Sequence, residues 1–97
     1  MTDLLLDADR LLVVGLVDRA AELFRQAAEA DPGSGAAIVG LANCELERGN
    51  MPGAYALALR ALELDRNNSV ALRLEARLSE VLATRGQPVR RPAWVLR

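Results

Sequence analysis

The chain has 97 residues and a formal net charge of −1, and 52% of it is apolar although only 3% is aromatic. A single domain of this size buries only about two thirds of its unfolded surface, so apolar surface is left over for a partner. The complete absence of His removes the Ser–His and Cys–His nucleophile pairs, and the single cysteine, Cys44, forms no internal disulfide.

The apolar set is mostly Leu and Ala, good helix formers, and the breaks between apolar stretches predict five helices. Residues 3–14 form the first, closed by Gly15 in the left-handed conformation that ends a helix. Asp18 opens the second, where a carboxylate faces free amide groups and the positive end of the helix dipole. This helix runs to Ala30 and stops at the turn signal Asp31–Pro32–Gly33. Residues 35–48 form the third, and Gly49–Asn50 break it. Pro52 sits in the first turn of the fourth, where its missing donor does little harm. Residues 66–69 end the fourth, and Ser69 is expected to cap a fifth that continues to about Thr84. Gly86, Pro88 and Pro92 forbid a regular sixth.

The sequence also repeats itself at a spacing of 34 residues. Residues 1–34 laid over 35–68 match Ala8 with Ala42, Leu12 with Leu46, Gly15 with Gly49, Ala20 with Ala54, Leu23 with Leu57, Ala27 with Ala61, Glu29 with Glu63 and Asp31 with Asp65. A partial third copy begins at Ser69, with Leu72 under Leu4 and Ile38 and with Ala76 under Ala8 and Ala42. Small residues at this period mark stacked helix pairs. The pattern resembles the tetratricopeptide repeat, a 34-residue helix–turn–helix unit; Leu4, Ala8, Leu11, Gly15, Ala20, Phe24, Ala27 and Pro32 carry it in the first copy. The second copy keeps Ile38, Leu41, Ala42, Gly49, Ala54 and Ala61 but has Glu45, Ala58 and Arg66 where a bulky residue, an aromatic and Pro would stand. The resemblance implies an all-α fold: a short solenoid of antiparallel helix hairpins, five helices and an irregular C-terminal tail. One domain spans 1–84, with repeats 1–34, 35–68 and a partial 69–84, and the tail spans 85–97. It further implies binding of a protein or peptide, because the family has no chemistry in common.

In that geometry the first helix of each repeat lines a concave face, and residues 34 apart stand side by side. The rows are Leu5, Val39 and Arg73; Asp9, Asn43 and Arg77; Leu12, Leu46 and Glu80; and Val13, Glu47 and Val81. The expected partner-binding residues are Leu5, Asp9, Leu12, Val39, Asn43, Leu46, Arg73 and Arg77, which suit an amphipathic helix or extended peptide with an apolar anchor and an acidic end. Arg73 and Arg77 also have Glu80, Glu47 and Glu75 as candidate pairing partners. Some family members grip a C-terminal carboxylate with Lys, Asn and Arg. Those places here hold Leu5, Asp9, Gly40, Val70 and Leu74, so that clamp is not carried over.

The fifth helix is apolar over more than one stripe, through Val70, Leu72, Leu74, Leu78, Val81 and Leu82, although the last helix of an array is normally polar outside. Its cover is expected to be the chain's own tail, a second subunit in a homodimer, or a different protein; Leu74, Leu78, Val81, Leu82, Trp94 and Leu96 are the residues assigned to self-association or tail docking. The tail holds Arg85, Arg90, Arg91 and Arg97 with no acid, a charge of +4, whereas residues 1–84 hold eight Arg against thirteen acids, a charge of −5. A basic tail lying on an acidic body is one reading; a docking peptide with Trp94 as its anchor is the other.

No catalytic, metal-ligating or cofactor-binding residues are assigned. Cys44 reads as a buried structural thiol, since no Lys or His lies near it in sequence. Glu45 and Glu47 read as a solvated face, and Gly33–Ser34–Gly35 has neither a preceding strand nor a following Lys for a phosphate loop. One Trp and an acidic body argue against nucleic acid. No apolar run reaches the length of a membrane span, and Asp3 and Asp7 stand where a secretory signal would carry positive charge, so the expected location is cytoplasmic. The expected function is a non-enzymatic protein–protein interaction module, an adaptor or assembly factor. The alternative is an obligate accessory subunit of a larger complex.

Overall fold

Five helices, α1 (Leu4–Val13), α2 (Val17–Ala30), α3 (Gly35–Glu47), α4 (Met51–Leu64) and α5 (Ser69–Thr84), are found in the computed structural model, which describes residues 3–96. Met1, Thr2 and Arg97, the last of these one of the tail's four cations, lie outside the described residues. The helix limits arise from turn chemistry that recurs at the period of the sequence. Asp31 accepts a hydrogen bond from the amide of Gly33 and Ser34 caps α3 through the amide of Ala37; 34 residues on, Asp65 accepts from Asn67 and Asn68 caps α5 through Ala71. The cap of α5 is therefore Asn68 and not Ser69, which is the first helical residue. The turn forms equally well with Arg66 in place of Pro, because the Asp side chain and the cap define it. Gly15 and Gly49 close α1 and α3 at φ +86° and +79°.

Each helix packs on the next, and α1 also rests on α3, which sets the first helices of successive repeats along one face. Close approach comes from small residues: Ala8, Ala20, Ala42 and Ala54 are completely buried. Gly40 is the tightest point. A Cβ there would fall inside the Phe24 ring, which is itself buried, so α2 and α3 approach closely only because the position is glycine. The fold is an all-α solenoid of antiparallel hairpins, as the pattern implies.

The third copy departs from the other two in length. α5 runs for 16 residues against 10 in α1 and 13 in α3, and its left-handed closing glycine is Gly86, three positions later than the period requires. Residues 87–92 have no regular structure, and a turn occupies 93–95. This segment runs back along α5 against the helix direction. Val89 packs against the cluster of Tyr55, Leu78 and Leu82; Arg91 reaches Glu75; and Trp94 and Val95 pack against the cluster holding Ala61, Leu62 and Ala71. An extended strap occupies the seat where a second helix of the third repeat would lie. Of the apolar excess on α5, Leu78 and Leu82 are buried and Leu74 and Val81 half-buried, while Val70 and Leu72 stay exposed.

Candidate functional site

The first helices of the repeats frame an open groove in two connected parts. Asp9, Ala36, Val39, Gly40, Asn43, Asn68 and Val70 surround a cavity of about 240 Å³ between α1 and the N-terminal end of α5, with α3 as its floor. Asn43 and Val70 also border a larger cavity of about 550 Å³, lined further by Arg73, Leu74, Ala76, Arg77 and Glu80 of α5. The larger part is left open because the backbone of α5 approaches α3 less closely than that of α1 does. Val70, Arg73, Leu74 and Arg77 recur at helical spacing and so share one face of α5, while Ala71, Glu75, Leu78 and Leu82 form a second, buried one about 120° round the helix. Among the described residues neither Arg73 nor Arg77 takes part in an ion pair. The groove thus offers two guanidinium groups outside any ion pair, with Glu80 and an apolar wall beside them, at one end and a second carboxylate, Asp9, at the other.

Five of the eight residues expected on this face, Asp9, Val39, Asn43, Arg73 and Arg77, line the groove. Leu5 and Leu12 instead pack against the core of the first hairpin with Ala8, Ala21 and Phe24, and Leu46 packs beside Ala42, Ala54 and Tyr55.

The buried face of α5 holds the strap. The Glu75 carboxylate is completely buried, accepting a hydrogen bond from the Tyr55 hydroxyl at 2.7 Å and a bidentate pair from Arg91 at 2.6 and 2.8 Å. Burial alone would raise the Glu75 pKa, but the hydrogen bonds from Arg91 and Tyr55 outweigh it and hold the carboxyl below its ordinary value. The same burial, with the carboxylate beside it, pushes the Tyr55 phenol up. Farther along, the Arg66 guanidinium lies 4.7 Å above the centre of the Trp94 ring. Leu96 is 60% exposed and stands at the margin.

A scan against known families matches this architecture to one of them. The tetratricopeptide repeat model covers residues 14–78, about two thirds of the chain. The chain belongs to the tetratricopeptide repeat family. No curated protein and no solved structure matches it. Tetratricopeptide repeats mediate protein–protein interaction, so the concave groove of this repeat protein is the first place to look for a ligand.

Two features of the site are not legible in the sequence pattern. Glu75, expected with Glu80 and Glu47 as a partner for Arg73 and Arg77, is instead taken by Arg91 of the tail. The available signal is an acid in the stripe Ala71, Glu75, Leu78, Leu82, which needs a cation from outside the helix. Asp18 and Glu45 likewise join through Arg48, which bridges the start of α2 to the end of α3 at 2.6 and 2.8 Å. Cys44 is completely buried, and its thiol pKa is raised by that burial, which suits a packed side chain and not a nucleophile. No group of three or more candidate metal ligands is found among the described residues, and no helix there is long and apolar enough to cross a membrane.

Proposed function

We propose that this tetratricopeptide repeat protein is a non-enzymatic adaptor or assembly factor of the cytoplasm that binds a peptide or partner helix in the α1–α3–α5 groove. The observation that carries the reading is the pair Arg73 and Arg77. They stand exposed on the wall of the larger cavity, in no ion pair among the described residues although Glu80 lines the same wall, next to Val70, Leu74 and Ala76. A ligand with an apolar anchor and an acidic end satisfies both halves of that wall. Asp9 at the far end disfavours a second acidic group there. The strap over α5 favours an exchangeable adaptor over an obligate subunit, because it covers Leu78 and Leu82 without help from another protein.

The test is titration calorimetry with a synthetic helical peptide bearing Leu at one end and two Glu at the other. Binding should weaken at least tenfold in Arg73→Ala/Arg77→Ala and fall with added salt. Equal affinity for a peptide with Lys in place of both Glu would overturn the reading.

A further inference from the structure

The strap is held as a ligand is held. Its residues 87–92 make no regular structure of their own, and its side chains point their chemistry outward onto α4 and α5: Val89 onto an apolar cluster, Arg91 onto a buried carboxylate, Trp94 under a guanidinium. Each position meets a different complement, so the face discriminates by sequence. Both oxygens of Glu75 are engaged by Arg91, and the planar, two-pronged geometry selects Arg over Lys. The connection to α5 is slight. Gly86 and Gln87 donate their amides to the carbonyls of Ala83 and Leu82 to close the helix, and Pro88 comes next. A change of backbone angles at the left-handed Gly86 would swing the strap away with α5 intact.

We propose that the α4–α5 face is a peptide-reading site for an extended segment with an apolar residue, Arg two positions later and Trp three positions after that, and that the tail of a second copy exchanges into it. The second copy carries the fitting sequence by identity. It also carries the fitting charge, since residues 85–97 are +4 and residues 1–84 are −5, so tail and body attract between chains as within one. The short tether gives the chain's own tail an effective concentration in the millimolar range, which keeps the protein closed on itself when dilute. Exchange therefore sets in as concentration rises or when closure in the same chain is impaired, and it yields a pair in which each body is completed by its partner's Val89, Arg91 and Trp94.

Two variants of the full chain test this. Trp94 is the single Trp of the chain, so its emission reports where that tail sits. The donor carries Glu75→Leu, with an intact tail and a damaged seat; the acceptor carries Arg91→Ala and Trp94→Phe, with an intact seat and a silent tail. Adding acceptor to donor should shift Trp94 emission to the blue, saturate at one to one below about 1 mM, and double the mass seen by light scattering. The shift should vanish when the acceptor also carries Glu75→Leu. Unchanged emission with both chains helical by circular dichroism overturns the proposal. Should either variant fail to fold, deletion of Gly86 and Gln87 from the native chain gives a second reading: the shortened tether should produce a dimer at micromolar concentration, and a folded monomer would refute exchange.

Discussion

The two faces of α5 are built from one helix and used in opposite ways. On one, the stripe Ala71, Glu75, Leu78 and Leu82 is sealed by the strap, and the charge within it has every partner it needs. On the other, Val70, Arg73, Leu74 and Arg77 line an open cavity together with Glu80, and neither Arg is held in an ion pair among the described residues. A cation that finds its acid inside the chain contributes to the fold; a cation left free is available to a ligand. Arg91 and Arg73 are the two cases. They should respond oppositely to the same mutation, and that contrast orders the experiments.

The largest effect is expected from Arg91→Ala. It strands the buried Glu75 carboxylate with only the Tyr55 hydroxyl, and removing one member of a buried pair costs roughly 3–5 kcal/mol when the pair is fully enclosed. The Arg91 side chain is 32% exposed, so a loss of about 2–3 kcal/mol is the reasonable expectation. For a domain of this length that lowers Tm by roughly 10–20 °C. Trp94 emission should shift to the red in the native baseline as the strap loosens. Thermal melts followed at 222 nm and by Trp94 emission check both.

The contrast is only half legible in the sequence. Gly15, Gly49 and Asp31–Pro32–Gly33 punctuate the chain by local stereochemistry, so four helices and their order come directly from it. The cap of α5 is ambiguous locally because Asn68 and Ser69 are both good caps; the period itself decides against Ser69, since Asn68 stands where Ser34 does. The rows across the groove are legible to within one residue's rotation. Leu12 and Leu46 lie three positions beyond Asp9 and Asn43, about 60° round the helix, which is enough to turn them into the core. The strap is legible only as a charge and a Trp. A segment without periodicity carries no register, so the pairing of Arg91 with Glu75 can be foreseen as a need of Glu75 but not assigned to one arginine among four.

A smaller effect is expected from pH. Glu75 has a folded pKa below its ordinary value near 4.5. A depressed carboxylate contributes stability that is fully present above the unfolded value and is lost as pH falls through the folded one. The strap should therefore hold at neutral pH and loosen on acidification below about 4.5, with Trp94 emission moving to the red over that range. Glu75→Gln should abolish this step in the emission curve. A step of the same size persisting in Glu75→Gln would place the titrating group elsewhere and remove Glu75 as the anchor of the strap.

The smallest effect on stability is the one that matters for binding. Arg73 and Arg77 are exposed, sit on the face of α5 away from the core, and make no ion pair among the described residues. Substitutions at such positions change stability by about 0.5 kcal/mol or less. Arg77→Glu also places an acid one turn from Glu80, and Arg73→Glu places a second acid one turn from position 77. Like charges at that spacing cost a few tenths of a kcal/mol at most. The double variant should melt within roughly 2–4 °C of the native protein, keep the native Trp94 emission, and still lose the acidic-ended peptide. A large drop in Tm would show that the groove face supports the fold after all and that the two faces of α5 are not divided between folding and binding. Unchanged stability with lost binding is the result that separates them, because the same reversal of charge at Arg91 would destroy both.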